Sequence, residues 1–366
     1  MLSDTQDEFA VLTGFSTDEN FRSLINTINE QGWSSSDRTG VGTHGVCFEK
    51  TEYPLCGGAI PLLNGKAVNL RPLLVELEWY LRGDTNIKFL NDNGVHIWDQ
   101  WADDQGDLGP VYGKQWRAWE DTRIVRASDS ARYVSKGYTL EGRLEGADSR
   151  VVVTRRVDQL AQIINKLRTN PEDRRIMLSA WNVAQLDDMA LPPCHFAFYL
   201  WSRQLDAQTR FTMAMLLAAT HTRAGKESSY TAFAAYVADG GDISWEAMDR
   251  FDIPQRQLCS SLMQRSVDVF VGLPFNLAGY GILTHFIAKL TGHMAMSLTH
   301  YGCDVHLYNN HTDAVDTYLS REFDPDVSNP AVIFPDSWRE LKDFAWGDIE
   351  ITGYAPQPWI KVPVAK

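Results

Sequence analysis

An α/β fold is what this sequence predicts, and three observations carry the prediction. Helical periodicity recurs in Phe21, Leu24, Ile25 and Ile28, and again in Leu74, Leu77 and Leu81. Strand-like apolar runs stand at Ile176 to Trp181, His195 to Trp201 and Val267 to Val271. A nearly wholly apolar stretch, Leu277 to Leu290, follows Pro274 and reads as a buried central helix. With 366 residues, 44% of them hydrophobic and 22% charged, the chain has enough material for a full core and is neither disordered nor low-complexity.

Each element has a local reason. Ser16-Thr17-Asp18 opens the first helix, about residues 18 to 31, and Gly32 stands where a C-cap belongs. Gly40 and Gly42 mark a turn. Pro72 sits just inside a second helix, about 72 to 82, which carries Glu76 and Glu78 and closes at Gly83. Val157, Leu160, Ile164 and Leu167 mark a third. Two segments depart from this pattern. Residues 120–150 are polar and rich in Arg, Ser, Asp and Gly, as in a surface excursion. Residues 203–258 mix helix-like pieces, Phe211 to Thr220 and Ser228 to Ala238, with a Gly240-Gly241 turn. With no internal repeat and no long linker, the reading is one catalytic domain over residues 1–366, carrying insertions at about 120–150 and 203–258.

Charge and cysteine content narrow the function classes. A formal charge of -13 disfavours a non-specific nucleic-acid or anionic-membrane binder, so an anionic substrate requires a local basic cluster. The amino terminus has no basic segment leading into an apolar one. The longest apolar run, Phe211 to Ala219, is less than half of the ~20 residues a span requires. The expectation is a soluble, cytoplasmic protein (host cytoplasm if viral), with no membrane and no DNA partner. The five cysteines are widely and irregularly spaced and read as free thiols.

Cys194 follows Pro192-Pro193, which stiffen its approach to a strand, and it is either a small buried hydrophobe or a nucleophile. His195 does not make a dyad with it, because neighbouring strand residues point to opposite faces. Activation then needs a cation from elsewhere, and Arg38, Arg174-Arg175 and Gln264-Arg265-Ser266 supply candidates. Spacing alone does not bring them together. His300, Cys303, His306 and His311 lack the paired spacing of a structural zinc site, so no metal is expected. The tryptophans at 79, 98, 101, 116 and 119 read as core, or as an aromatic wall for a flat heterocycle.

Longer motifs carry a resemblance. Gly83-Asp84-Thr85-Asn86-Ile87, Ile97-Trp98-Asp99-Gln100-Trp101 and Gly109-Pro110-Val111-Tyr112-Gly113-Lys114-Gln115-Trp116 stand in order in the first third. Asp173-Arg174-Arg175-Ile176, Leu191-Pro192-Pro193-Cys194-His195, Gln264-Arg265-Ser266, Gly272-Leu273-Pro274-Phe275-Asn276 and Asp304-Val305-His306-Leu307-Tyr308 follow. Together with the tail Ile360 to Ala365, this set resembles the thymidylate synthase family from about residue 20 onward.

The resemblance implies a large mixed sheet, covered by helices, whose outer face forms a homodimer. It implies transfer of a one-carbon unit from 5,10-methylenetetrahydrofolate to C5 of dUMP through a covalent adduct at C6. Cys194 is the implied nucleophile, and Arg265 favours its thiolate. Glu76 is the implied general acid/base, with Tyr112 and Asn182 organising proton removal at C5. The implied dUMP ligands are Arg38, Gln264, Arg265, Ser266, Asn276, His306 and Tyr308, with Arg174 and Arg175 donated by the partner. Asp268 is implied to bind the pterin, and Ile97, Trp98, Leu191 and Phe275 to form the apolar folate wall. An asparagine amide at 276 donates to O4 and accepts from N3-H, which matches uracil; family members acting on cytosine carry Asp there.

The product turns on whether hydride or water quenches the C5 methylene. Lys366 at the end of the closing tail, Tyr199 in place of Gln, Gly279 in place of Ser, Cys303 in place of Gly and the 203–258 insertion tilt the reading narrowly. They favour a dUMP hydroxymethylase that makes a modified DNA precursor. Trp98 and most of the tail favour thymidylate synthase, the alternative. A non-catalytic nucleotide- or RNA-binding relative is opposed by the presence of Cys194, Arg265, Glu76 and Asn276, and by the net charge.

Overall fold

The structure is a computed structural model that describes residues 16–37, 39–144, 149–322 and 330–363. Helix α1 (Thr17–Gln31) starts at a capping box: the Ser16 hydroxyl accepts from Glu19 N at 3.2 Å, and Glu19 Oε2 accepts from Ser16 N at 2.6 Å. Strands β1 (Trp33–Ser35) and β2 (Thr43–Pro54) follow. Helix α2 (Leu70–Arg82) begins at the Asn69 cap and ends at Gly83, whose φ of 74° is a left-handed conformation that glycine adopts without strain. Next come α3 (Lys88–Asp92) and α4 (Tyr112–Ala118).

The polar segment expected as a surface excursion folds into a small sheet of its own. Strand β3 (Trp119–Arg126), helix α5 (Ser130–Val134) and strands β4 (Thr139–Arg143) and β5 (Arg150–Val157) build it, in the order β3-β5-β4. Val151, Val153 and Tyr138 form its minor core. Helix α6 (Gln159–Thr169) starts later than the periodicity suggested. Val157 still pairs with Trp119 in the sheet, and Asp158 caps the helix through Ala161 N.

The main sheet also contains β6 (Met177–Ser179) and β7 (His195–Gln204). Between β7 and the next main strand lie α7 (Ala207–Arg223), α8 (Ser229–Ala238) and α9 (Trp245–Arg250). These pack on a separate cluster around Met213, Phe233, Met248 and Ile253. The insertion is therefore narrower than residues 203–258, because its ends are sheet. Residues 203 and 204 finish β7, and β8 (Arg256–Asp268) starts at 256. Of the expected strand Val267 to Val271, only Val267 and Asp268 are strand, at the end of β8, and residues 269–271 form a turn.

Helix α10 (Gly272–Thr291) is buried along most of its length and links β8 to the parallel strand β9 (His293–Tyr308). Helix α11 (Thr312–Leu319) and the strand pair β10 (Ala331–Ile333) and β11 (Glu350–Thr352) complete the fold. The main sheet runs β1-β2-β9-β8-β7-β6, antiparallel except for β8 with β9. A parallel pair needs a crossover, and α10 is that crossover, so its apolar surface lies on the sheet in the core. Among the described residues no helix is long and apolar enough to cross a membrane.

Candidate active site

Cys194 sits where the chain enters β7. Its backbone N–H donates to the Tyr112 hydroxyl at 2.9 Å, and its carbonyl accepts from Arg265 N at 2.7 Å. The Arg265 guanidinium donates to the carbonyls of Pro193 (3.2 Å) and Pro192 (3.0 Å), and Nη2 lies 3.9 Å from the cysteine sulfur. The prolines thus do more than stiffen the approach. Their carbonyls aim a fixed cation at the thiol, an arrangement that favours the thiolate.

Glu76 stands beside this pair on α2. Its Oε1 accepts from Tyr80 OH at 2.9 Å and from Trp98 Nε1 at 2.7 Å. Burial pushes its pKa above the ordinary carboxylate value, and the two hydrogen bonds pull the other way. Tyr80 lies one helical turn after Glu76, so spacing of four residues on α2 was the signal for it. His195 is buried, stacks on Tyr112 with centroids 4.2 Å apart, and meets Tyr280 OH through Nδ1 at 2.8 Å. Burial drives its pKa down to about 3, so the ring is neutral at physiological pH. Cys194, Arg265, Tyr112, Glu76 and Trp98 therefore form one contiguous group, with His195 and Tyr280 behind it.

Asn182 is buried, but its amide donates to Gln115 Oε1 at 3.1 Å and Gln185 Oε1 at 2.9 Å, and no direct contact joins it to Glu76. Gln264 lies between Arg265 and the inner side of the sheet. It is 1% exposed, donates to Ser266 O at 3.0 Å and meets His300 Nε2 at 3.2 Å. The alternation of β8 turns it inward.

Ser266, His306 and Tyr308 line one groove of about 560 Å³. Within it, His306 Nδ1 meets Asp304 Oδ1 at 3.0 Å, a contact that lowers the Asp304 pKa. Asn276 and Phe275 start α10 and line a smaller cavity with Glu76 and His195. Leu191 and Phe275 pack on the core partly exposed, Trp98 is buried, and Ile97 is 43% exposed. Asp268 Oδ1 caps Val271 N at 3.0 Å. Arg174 and Arg175 are exposed before β6, and Arg175 Nη1 lies 4.0 Å from Asp173 Oδ1. Arg38 and the tail residues Val364, Ala365 and Lys366 lie outside the described residues.

Lys66 was missed in the sequence, where nothing local marks it. It is buried, donates to Phe270 O, stands 4.0 Å over the Phe270 ring and has its pKa pushed down to about 8 by burial, with Asp268 opposing. Among the described residues no three His, Cys, Asp or Glu side chains converge as a metal site. His300 and His306 have separate partners, Gln264 and Asp304.

A sequence model of the family described as thymidylate synthase matches residues 19–219 and 243–366. The chain belongs to the thymidylate synthase family. Thymidylate synthases from Coxiella burnetii strains Dugway 5J108-111, RSA 331 / Henzerling II and RSA 493 / Nine Mile phase I are each 37% identical to it over 345 residues. That span covers 94% of this chain and 98% of each relative. Thymidylate synthase family members bind dUMP, use 5,10-methylenetetrahydrofolate as cosubstrate and are typically dimeric. The mixed sheet with its helical cover agrees with that fold. The break in the match, residues 220–242, falls at the end of α7 and across α8.

Proposed function

We propose that this chain is a thymidylate synthase, transferring the one-carbon unit of 5,10-methylenetetrahydrofolate to C5 of dUMP and reducing it to a methyl group. The observation that carries this reading is the Arg265 cation 3.9 Å from the Cys194 sulfur, with Glu76 enclosed beside it. The Cys194 thiolate adds to C6 and makes C5 a carbanion, which attacks the folate methylene carbon. Loss of the C5 proton, with cleavage of the bond between the methylene carbon and the folate nitrogen, then expels tetrahydrofolate and leaves an exocyclic methylene. Hydride from tetrahydrofolate converts that methylene to methyl, Cys194 departs from C6, and the products are dTMP and dihydrofolate.

In this reading Glu76 moves protons through water, and the neutral His195 and Tyr112 hold the nucleophile's strand in place. Asn276 reads uracil; Ser266, His306, Tyr308 and Arg265 hold sugar and phosphate, with Arg38 as a further phosphate ligand. Asp268 has one oxygen on Val271 N and one remaining for a pterin N–H. Trp98, Leu191, Phe275 and the outer Ile97 give the folate an apolar wall. Arg174 and Arg175 complete the phosphate site of a second copy. Support for that dimer comes from the outer sheet face, where Met177, Trp201 and Tyr301 are large, apolar and exposed. Register places Tyr199 and Met263 on the same face. The chain acts as one catalytic domain with two insertions.

Hydride quench is favoured by the relatives' name and by Trp98, which is buried against Trp79, Trp101 and Tyr112 and leaves little room for water. Water quench to 5-hydroxymethyl-dUMP is the second reading. What favours it is an open position at Gly279, where a Cβ would meet nothing within 4 Å. The test is incubation with dUMP and methylenetetrahydrofolate, mass spectrometry of the nucleotide and absorbance of dihydrofolate. Equimolar dTMP and dihydrofolate are expected. Hydroxymethyl product without dihydrofolate transfers the assignment to the second reading, and no C5 product removes both.

A further inference from the structure

A second cavity, of about 540 Å³, lies where the helical insertion meets the far end of α10. Leu217, His221 and Tyr230 come to it from α7 and α8, and Lys289 from the last turn of α10. Met294 of β9 and the segment after β10, with Phe334, Asp336 and Arg339, close the other side. It shares no residue with the cavity of Glu76 and Asn276. A rise of ~1.5 Å per residue puts Lys289 about 20 Å along α10 from Asn276.

The insertion's share of the wall is this chain's own, because His221 and Tyr230 stand in the stretch 220–242 that the family model leaves unmatched. Two contacts hold that wall against the core. The Thr220 hydroxyl donates to Gly57 O at 2.7 Å, and Lys226 pairs with Glu350 of β11 at 2.9 Å. The cavity is therefore framed by fixed segments on both sides.

Its polar groups are unevenly matched. The Lys289 side chain is 23% exposed and has Asp336 Oδ1 at 3.6 Å, a carboxylate that is itself 68% exposed. Burial pushes the Lys289 pKa down, Asp336 opposes, and the nearby Arg339 adds to the fall. Two cations thus face one exposed acid; Asp252, the other acid on the wall, is exposed, and the charges acting on Lys289 and His221 come from Asp336, Arg339 and each other. His221 Nδ1 is buried with no hydrogen-bond partner among the described residues, and its ring meets that of Tyr230 edge-on at 5.7 Å. An unmatched polar atom of this kind is costly in an empty cavity. Leu217, Met294, Val332 and Phe334 make the rest of the wall apolar. A space of this size, with an apolar body and a few convergent polar groups, has the form of a small-molecule site.

We propose that this cavity binds a small amphipathic anion, an organic phosphomonoester or carboxylate, with its acid group on Lys289 and Arg339 and its apolar body against Leu217, Tyr230 and Phe334. The excess of cations selects an anion, and the apolar wall selects an organic one over inorganic phosphate. The site stands apart from the reaction centre, so it holds whichever product the enzyme makes.

The probe is 4-benzoylbenzoate, an aromatic carboxylate whose ketone inserts into neighbouring C–H bonds under near-ultraviolet light. Irradiated with the full chain and mapped by peptide mass spectrometry, it is expected to mark the peptides that hold Leu217, Tyr230 or Met294. Neutral benzophenone should mark them about tenfold less, and Lys289→Met and Arg339→Gln should each lower the benzoylbenzoate labelling about tenfold. Arg339 is exposed, so its variant tests the charge even where loss of the Lys289 ammonium disturbs folding, which thermal melts report. Excess phenyl phosphate and excess benzoate separate the two acids. Protection by phenyl phosphate alone assigns a phosphomonoester, by benzoate alone a carboxylate, and by both the shared anion chemistry. Protection by neither, labelling no stronger than that by benzophenone, or labelling unchanged in both variants overturns the site.

Discussion

The guanidinium of Arg265 lies 3.9 Å from the sulfur of Cys194, held there by the carbonyls of Pro192 and Pro193. The cation is fixed by backbone, so its position does not depend on a bound substrate. Arg265→Gln should slow alkylation of Cys194 by iodoacetamide at neutral pH and move the pH dependence of that rate upward. An unchanged profile, measured by mass spectrometry of the modified peptide, would separate the arginine from thiol activation.

Cys194→Ala should abolish turnover and leave no covalent complex with 5-fluoro-dUMP and folate. The parent chain should form that complex at Cys194, detectable as a mass increment on its peptide. An adduct on another cysteine would move the nucleophile.

Glu76→Gln should reduce turnover by about 10²-fold or more. It should also change stability in a pH-dependent way. Burial raises the folded-state pKa of Glu76 above its unfolded value, so the folded state holds the proton more tightly. Stability then falls as pH rises from the ordinary carboxyl range through the raised value. Glutamine keeps the acceptor for Trp98 and Tyr80 without that loss. Thermal melts should place the variant above the parent at neutral pH, with the gap closing below about pH 4.

Mixing tests the dimer. Cys194→Ala chains and Arg174→Ala/Arg175→Ala chains should each be inactive alone. Unfolded and refolded together, they should regain activity, because one site of the hybrid has its own cysteine and an intact pair of arginines from the partner. No recovery in verified hybrids would confine Arg174 and Arg175 to their own chain.

Arg210 is the test of the helical insertion. It is fully buried and donates to the carbonyls of Trp245, Ile253 and Pro254 and to Asp249. Arg210→Met should leave these carbonyls without a donor, costing about 3 kcal/mol in urea denaturation. Proteolysis should then begin between residues 205 and 255, with Cys194 still alkylated at the parent's rate.

Local signals made much of the fold legible. The Ser16 cap, the Gly83 end and the apolar run of α10 each rest on neighbours within one or two turns, so these helices were readable, while the Asn69 cap that starts α2 at Leu70 was not read. Strand β8 was read only at its end, because its outward residues Ser261, Met263 and Arg265 alternate with inward ones and Gln264 breaks the apolar side. The polar segment 120–150 lacked visible alternation, since among the described residues its small sheet buries only Val151, Val153 and Tyr138.

Residue types and motif order were enough to identify the family, the nucleophile candidate and the folate and dUMP chemistry it implies, because those depend on which groups the chain carries. Which groups meet was decided by the tertiary structure alone. Arg265 reaches Cys194 because β7 and β8 pair in register, Gln264 turns inward because strand side chains alternate, and Lys66 is buried where a distant strand ends. The open position at Gly279 exists only because α2 crosses α10 at that residue. Contacts between residues distant in sequence depend on register and crossing, and neither is written in any local window.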